Sequence, residues 1–305
     1  MEVLARLLGL LALLLAGTGL RRAGILGPTR TDRLNAATYY LALPALVFVA
    51  TYDQSVLELL SGALLAGVLG SLLGTAAVAW VVHRNRSNVA RRSVAVVQSY
   101  HSNLGYLGLP LVAATFDAEV TAIASVVLGV GSLTQVPLTV TVLSTLNGTD
   151  ANFGRELVSL ASNPVLLALV AGIVVGSVGV DVPATVAVGL DGLGSLALPL
   201  ALLCVGASLR VDAPAIDYGA TGSVVALKMA CMPVIAWATF TLLRVDAATF
   251  TAGVVMLGTP TAVSTYVFAH KLGGDGEFAS LNVFVTTVAS VLSLFVLIEL
   301  VAVAT

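Results

Sequence analysis

Two short stretches of this chain gather groups suited to holding a carboxylate inside a membrane. One is Asn103-Leu-Gly105-Tyr-Leu-Gly-Leu-Pro110 and the other is Gly258-Thr259-Pro260-Thr-Ala-Val-Ser264-Thr-Tyr266, each near the middle of an apolar run. Gly and Pro at such places interrupt a helix, and every backbone group left unpaired in hydrocarbon costs several kcal/mol unless protein or a wet cavity receives it. The interruption also exposes a helix N-terminus carrying roughly half a positive charge, with N–H groups aimed into the gap. Two such ends, helped by the Asn103 amide, can neutralise an anion without a buried arginine. The candidate substrate-binding set is therefore Asn103, Gly105 and Pro110 on the first break and Thr259, Pro260, Ser264 and Tyr266 on the second. For Asn103 the alternative is that its amide satisfies the broken backbone itself.

Three further polar residues are candidates for coupling or charge relay: Lys228, His101 and Gln98. A lysine at a helix centre costs about 2.5–3.5 kcal/mol on insertion scales, which asks for a cavity or a partner. Lys228 would attract the anion or switch its charge during coupling; otherwise it snorkels or props a carbonyl at the break. His101 titrates near neutral pH in its ordinary state, or is a packed polar residue. Asp53, Glu58 and Asp191 lie nearer the outer edge, where carboxylates are mostly solvated, the alternative being a part in proton coupling. No metal centre is expected, because His83, His101 and His270 lack ligand spacing and Cys204 and Cys231 are isolated in apolar segments. No cofactor and no enzymatic activity are expected.

The elements that must position these groups follow from composition. The 305 residues are 58% hydrophobic and 10% charged, with a mean hydropathy of +1.02, far from the roughly 45–50% apolar share of soluble domains. The fold class is thus an all-α polytopic membrane protein. A net charge of -2 gives no reason to expect nucleic acid as a partner. Windows of about 20 apolar residues predict ten spans near 4–20, 35–51, 59–81, 93–115, 119–145, 156–179, 184–209, 219–243, 248–270 and 279–303. The first resembles a signal peptide in length, but Arg21-Arg22 follows it and nine more apolar segments come after, so it counts as a span. Eleven of the 14 basic residues fall in loops after odd-numbered spans, which makes those loops cytoplasmic and both termini extracellular. Asn147-Gly-Thr149 is then a cytoplasmic turn rather than a glycosylation site.

The halves repeat. Leu41-Ala-Leu-Pro44 recurs as Leu196-Ala-Leu-Pro199, and the breaks at Pro110 and Pro260 in spans four and nine stand 150 residues apart. Five spans per half is an odd number, so the second half enters from the opposite side, giving two inverted five-helix repeats with broken crossover helices. The repeats cover 1–146 and 154–305, joined by a short cytoplasmic linker at 147–153. A secondary transporter is the function this pattern points to. Gly70-x-x-x-Gly74 and Gly172-x-x-x-Gly176 have close-packing spacing, the basis for expecting a homodimer in the lipid bilayer.

Gly19-Leu-Arg-Arg-Ala-Gly-Ile-Leu, Leu43-Pro44-Ala-Leu-Val-Phe48, Asn163-Pro164, Leu198-Pro199-Leu-Ala-Leu-Leu-Cys-Val-Gly206-Ala-Ser-Leu209, Lys228 with Pro233, and Pro260 with Tyr266-Val-Phe-Ala269 together resemble the auxin efflux carrier family, which includes PIN-type plant auxin exporters and prokaryotic malonate-type carriers. The resemblance implies a scaffold-plus-transport fold with an X-shaped crossing of spans four and nine. It also implies elevator-type movement of small organic anions, auxin-like or mono- and dicarboxylates, across the cell membrane, with the carboxylate at the crossing. It matches Asn103 to the carboxylate-binding Asn of PIN-type relatives, while Ser264 stands where many relatives carry Asn. The rival is a sodium-coupled organic-anion symporter of the bile-acid type, with the same general architecture. On this topology a reporter fused after Thr305 that works only in the cytoplasm stays silent; strong reporter activity there contradicts it.

Overall fold

The computed structural model describes residues 2–54, 60–150, 152–208 and 217–305, without the side chains of residues 2–8, 10, 153 and 157. Glu58, Leu209 and Arg210 lie outside the described residues, as does the side chain of Arg6. Among the described residues the chain is helical throughout: α1 (Glu2–Arg22), α2 (Pro28–Ala37), α3 (Leu43–Thr51), α4 (Gly62–His83), α5 (Val89–Tyr100), α6 (Leu109–Thr115), α7 (Ala118–Asn147), α8 (Phe153–Ala161), α9 (Pro164–Val178), α10 (Ala184–Ser195), α11 (Ala197–Ser208), α12 (Tyr218–Ala226), α13 (Met232–Leu242), α14 (Ala247–Leu257), α15 (Ser264–Lys271) and α16 (Gly276–Ala304).

Helix occupies each of the ten apolar windows, but among the described residues six helical runs are long and apolar enough to cross a membrane, or seven when the pair Gly154–Ala161 and Pro164–Val178, bent by 50°, counts as one. The two windows expected to be broken divide into short pieces, among them Leu104–Thr115 and Ala247–Leu257. Helix starts follow capping chemistry. Asn88, Asn163, Asp217, Asp246 and Asp275 each accept a backbone N–H of the first turn of α5, α9, α12, α14 and α16, which satisfies donors that have no intrahelical partner.

Among the described residues three π-helical turns punctuate the spans: π1 (Thr38–Ala42), π2 (Leu104–Gly108) and π3 (Leu227–Cys231). Each is followed directly by a helix with proline as its second residue, Pro44, Pro110 and Pro233. The reason is steric. A proline inside a helix lacks the N–H and its ring collides with the carbonyl four residues back, here that of Tyr40, Tyr106 or Met229. A turn widened by one residue moves that carbonyl aside, and such bulges cluster at functional sites. At Leu198-Pro199 the chain does otherwise, stopping α10 at Ser195 and restarting at Ala197.

The residues form two compact units, spanning over their described residues Met1–Gly62, Gly105–Gly129 and Val158–Leu209 for the first and Ala63–Leu104, Val130–Leu157 and Arg210–Thr305 for the second. Each unit draws on chain before and after residues 147–153. In the first, α1 packs on α11 through Gly17 and Gly206, where an added Cβ would strike the backbone carbonyls of Leu203 and Leu14. Thr18 Oγ1 donates to Gly206 O at 2.9 Å and Arg21 Nη1 to Ala207 O at 2.8 Å, so Arg21 caps the α11 C-terminus. Gly172 and Gly176 meet Thr51 and Tyr52 to Gln54, so this small-residue pair packs α9 against the end of α3 within the unit.

In the second unit the N-termini of α5, α12 and α16 converge on one arginine. Arg91 binds Asp217 at 3.4 Å and Asp275 at 3.0 Å, the caps of α12 and α16, and lies 5.4 Å from the Phe278 ring centroid. The Ala220 N–H, and after it Arg91, hold the Asp217 carboxyl below its ordinary range. Asn147 Nδ2, at the end of α7, donates to Ser93 Oγ at 3.1 Å and to Leu272 O at 2.9 Å. Segments after four different odd-numbered windows, carrying Arg91, Asn147, Asp217 and Asp275, therefore meet at one end of this unit. Deeper in, the buried Phe240 ring lies in the space left by Gly67 and Gly253. Gly67→Ala and Gly253→Ala each force a methyl into that ring, and overpacking of this kind costs about 1–3 kcal/mol. The matching measurement is thermal unfolding in detergent: both variants melt lower, and Phe240→Leu in the same chain relieves the loss instead of adding to it.

Candidate functional site: an antiparallel crossover in the second unit

The sequence places the first break at Asn103 to Pro110. The unwound residues are instead His101 to Asn103, since Leu104–Gly108 forms π2 and Pro110 sits in the first turn of α6. The second break runs from Gly258 to Val263, with Ser264 and Tyr266 already in α15. At the first break the cause is that proline fits the first turn of a helix, so Pro110 marks the restart and not the gap, whereas Pro260 stays within the second gap.

The two gaps pair with each other. Ser102 and Thr261 form an antiparallel bridge, in which Asn103 N–H donates to Pro260 O at 2.8 Å and Ala262 N–H donates to His101 O at 3.0 Å. His101 O also accepts from Thr261 Oγ1 at 3.3 Å. On the other side of Ser102 the Gln135 carboxamide of α7 acts as a third strand, accepting from Ser102 N–H at 3.0 Å and donating to Ser102 O at 3.0 Å. Thr259 Oγ1 closes the C-terminal turn of α14 on Met256 O at 2.8 Å. Backbone groups that have no water to turn to are thus received by backbone and by one amide, as burial requires.

Around this pairing lies a shell of buried polar side chains. Lys228, fully buried, donates to Ser102 Oγ at 2.7 Å, Leu257 O at 2.9 Å and Met232 Sδ at 2.9 Å. His101 Nδ1 lies 2.8 Å from Thr139 Oγ1, which is also 3.2 Å from Tyr100 OH. Gln98 Nε2 donates to Thr265 Oγ1 and to Ala279 O, both at 2.9 Å, while Gln98 Oε1 accepts from Asn282 Nδ2 at 2.8 Å. Asn282 Oδ1 is buried with no hydrogen-bond partner among the described residues.

Lys228, His101, Gln98, Asn103, Thr259 and Pro260 are therefore gathered in one unit, Asn103 being 4% exposed. Ser264 is exposed at the start of α15 and Tyr266, two residues further on, is half-buried. Gly105 and Pro110 belong to the first unit. Sequence reasoning missed Gln135, Thr139, Met232 and Asn282; the available signal was an uncharged amide inside each of the long apolar helices α7 and α16. Among the described residues no group of three or more His, Cys, Asp or Glu could hold a metal ion.

The first unit carries its own open cavity of about 340 Å³, lined by Asp32, Asn35, Ala36, Tyr39, Tyr40 and Tyr106. Asp32, Asn35 and Ala36 share one face of α2 at helical spacing, and Tyr39, in π1, continues it. Tyr40, also in π1, lines the same cavity, its ring 5.0 Å from that of Tyr39 and nearly perpendicular to it.

An all-helical chain with membrane-length helices and a polar, paired break in two of its apolar segments is a multi-pass membrane protein. This one belongs to the membrane transport protein (Mem_trans) family, that of the auxin efflux carriers, whose family model matches residues 2–152 and 153–298. It is similar to a Methanothermobacter thermautotrophicus protein named "Uncharacterized transporter", 24% identical over 291 residues and covering 94% of both chains. It is also similar to a Rhizobium meliloti protein named "Putative malonate transporter", 22% identical over 265 residues, covering 85% of this chain and 83% of the other. The chain is a membrane transporter and not an enzyme.

The Gln135 bridge gives the site its first test. Gln135→Leu removes both partners of the Ser102 backbone, and two buried groups left unpaired cost about 1–3 kcal/mol each. The variant melts several degrees lower in a detergent thermal scan, whereas Gln135→Glu, which keeps the acceptor for Ser102 N–H, loses less.

Proposed function

We propose that this protein is a secondary transporter that carries small organic anions across the cell membrane by an elevator-type motion, with the substrate carboxylate held at the crossover. The observation that carries the reading is the antiparallel pairing of Ser102 with Thr261, in which two interrupted apolar segments are joined at their broken ends. Interrupted helices are kept at membrane depth where their ends line a binding site, and the ends that restart here, before π2 and α15, are N-terminal. N-terminal ends favour anions. The name of the Rhizobium relative adds that a short dicarboxylate is a sensible first substrate to try.

In this reading the chain has ten spans arranged as two inverted repeats, with both termini outside, and the second unit is the moving body. Its support is the convergence on Arg91 and Asn147, where loops after odd-numbered windows meet at one end. The Asn103 amide supplies a charge-assisted donor to the carboxylate, in addition to the helix-end N–H groups. Turnover then consists of carrying a neutralised anion past the lipid core, and the polar shell of Gln98, His101 and Thr139 keeps the crossover paired as it moves.

Asn103→Ala removes one hydrogen bond to a charged group, worth about 1.5–3 kcal/mol, or roughly ten- to hundredfold in affinity. Ligand-dependent thermal stabilisation by a panel of small carboxylates, malonate first, measures this. The reading requires that at least one carboxylate stabilises the wild type and that Asn103→Ala, correctly folded, binds it at least tenfold more weakly. Unchanged binding means that the ligand sits elsewhere and that Asn103 serves the broken backbone.

A further inference from the structure

Lys228 is a buried cation without a carboxylate. Among the described residues the salt bridges are those of Arg91 with Asp217 and Asp275, at the end of the unit. The lysine ammonium has three protons, and three acceptors meet them: the Ser102 hydroxyl, the Leu257 carbonyl and the Met232 thioether, all within 2.9 Å. Ser102 Oγ in turn lies 3.2 Å from Leu257 O, to which it donates. Leu257 is the last residue of α14, so its carbonyl is one of those a helix leaves unpaired at its C-terminus, where the macrodipole places roughly half a negative charge. That partial charge, produced by breaking the helix, compensates the ammonium. The pair is reciprocal: the break needs a cation at the α14 end, and the buried lysine needs a negative partner.

A carbonyl at a helix C-terminus and a hydroxyl are also the ligands that bind a bare monovalent cation at a discontinuous helix. We infer that the space around the Lys228 Nζ is a monovalent-cation site whose occupant is covalently attached, the ammonium standing where a transporter coupled to sodium would bind its ion. Lys228 reaches the site from π3, the widened turn ahead of Pro233, and Met232, one turn further along the same helix, closes it. Resting on the transporter reading, the inference adds that the wild-type carrier works without bound sodium at the crossover, which separates it from the bile-acid type of symporter. Lys228 thereby acts as a positioning residue for the crossover: it fixes Ser102, whose backbone is half of the bridge.

The site is opened by Lys228→Ala, which removes the ammonium and leaves the Leu257 carbonyl and Ser102 hydroxyl facing a space the size of an ammonium ion plus its stem. Purified variant and wild type are melted in ammonium, potassium and sodium chloride against choline chloride at equal ionic strength, with no anionic substrate present. The expected result is a saturable rise of several degrees in Tm for the variant, with ammonium or a metal ion of similar size the most effective, and no cation-specific rise for the wild type. If the alanine variant folds only when one of those ions is present, the site is rescued and the inference holds. Should it fold in no salt, Lys228→Ser, which adds a third oxygen to the same space, replaces it in the same titration. A folded variant with no response to any cation overturns the inference, as does a wild type stabilised by sodium to the same extent. Because no anion enters these titrations, their failure is separate from a failure of carboxylate binding.

Discussion

Everything at the centre of this molecule follows from one constraint: a backbone group in the membrane interior has no water to bond to. Breaking two spans creates at least four such groups at each gap, and the chain answers by laying the gaps across each other. Ser102 and Thr261 are the smallest possible piece of antiparallel sheet, a single bridge, yet it satisfies Asn103 N–H, Pro260 O, Ala262 N–H and His101 O. The remaining face of Ser102 goes to Gln135. The gap is tolerable because its own backbone is already paired.

The same constraint sets which side chains surround the pairing. Gln98, Gln135, Thr139, Thr265 and Asn282 are uncharged, can donate and accept, and are buried. They pin α5, α7, α15 and α16 to the crossover without the desolvation cost of an ion. The exception among the described residues of this shell is Lys228, and it stands at the C-terminal end of α14, where the helix end supplies compensating negative charge. For the proposed carboxylate no second buried cation is needed, because the helix ends that restart at π2 and α15 are N-terminal and carry positive partial charge. The three π-turns serve this arrangement as well, since each absorbs a proline that would otherwise break a span where no partner waits for the freed groups.

Much of this was legible in the sequence because it is written in Gly, Pro and charge. The apolar windows, the two interrupted segments and the depth of Lys228 all came from such residues, and so did the family resemblance. What could not be read was register. Pro110 and Pro260 look alike in the sequence, but Pro110 opens α6 after a π-turn whereas Pro260 lies in the gap and accepts a hydrogen bond from Asn103. Nor could the partners of the broken backbone be read, because Gln135 is one amide in a 30-residue apolar helix and carries no charge to draw attention. The acceptors of Lys228 lie 126 and 29 residues away in the chain, with only Met232 close in sequence. The spacing of the two small-residue pairs suits a surface for a second copy; Gly172 and Gly176 pack within the first unit, and a methyl added at Gly70 or Gly74 would touch Thr239 or Ile235 of the second.

The central claim is that the two interrupted spans cross through a backbone bridge at Ser102 and Thr261. These residues form the pair whose neighbours make the hydrogen bonds, which in antiparallel sheet brings Cα atoms to about 4.5 Å, within the range that a disulfide spans. The most direct measurement places cysteines at 102 and 261 in a chain with Cys204 and Cys231 replaced by alanine, then follows intramolecular cross-linking in native membranes under mild oxidation. The crossover predicts rapid formation of a reducible bond between 102 and 261, and none when the second cysteine is moved to 251, two turns or more back in α14. A pair at 102 and 261 that stays reduced while both thiols react with a small maleimide would contradict the crossing and, with it, the site built on it.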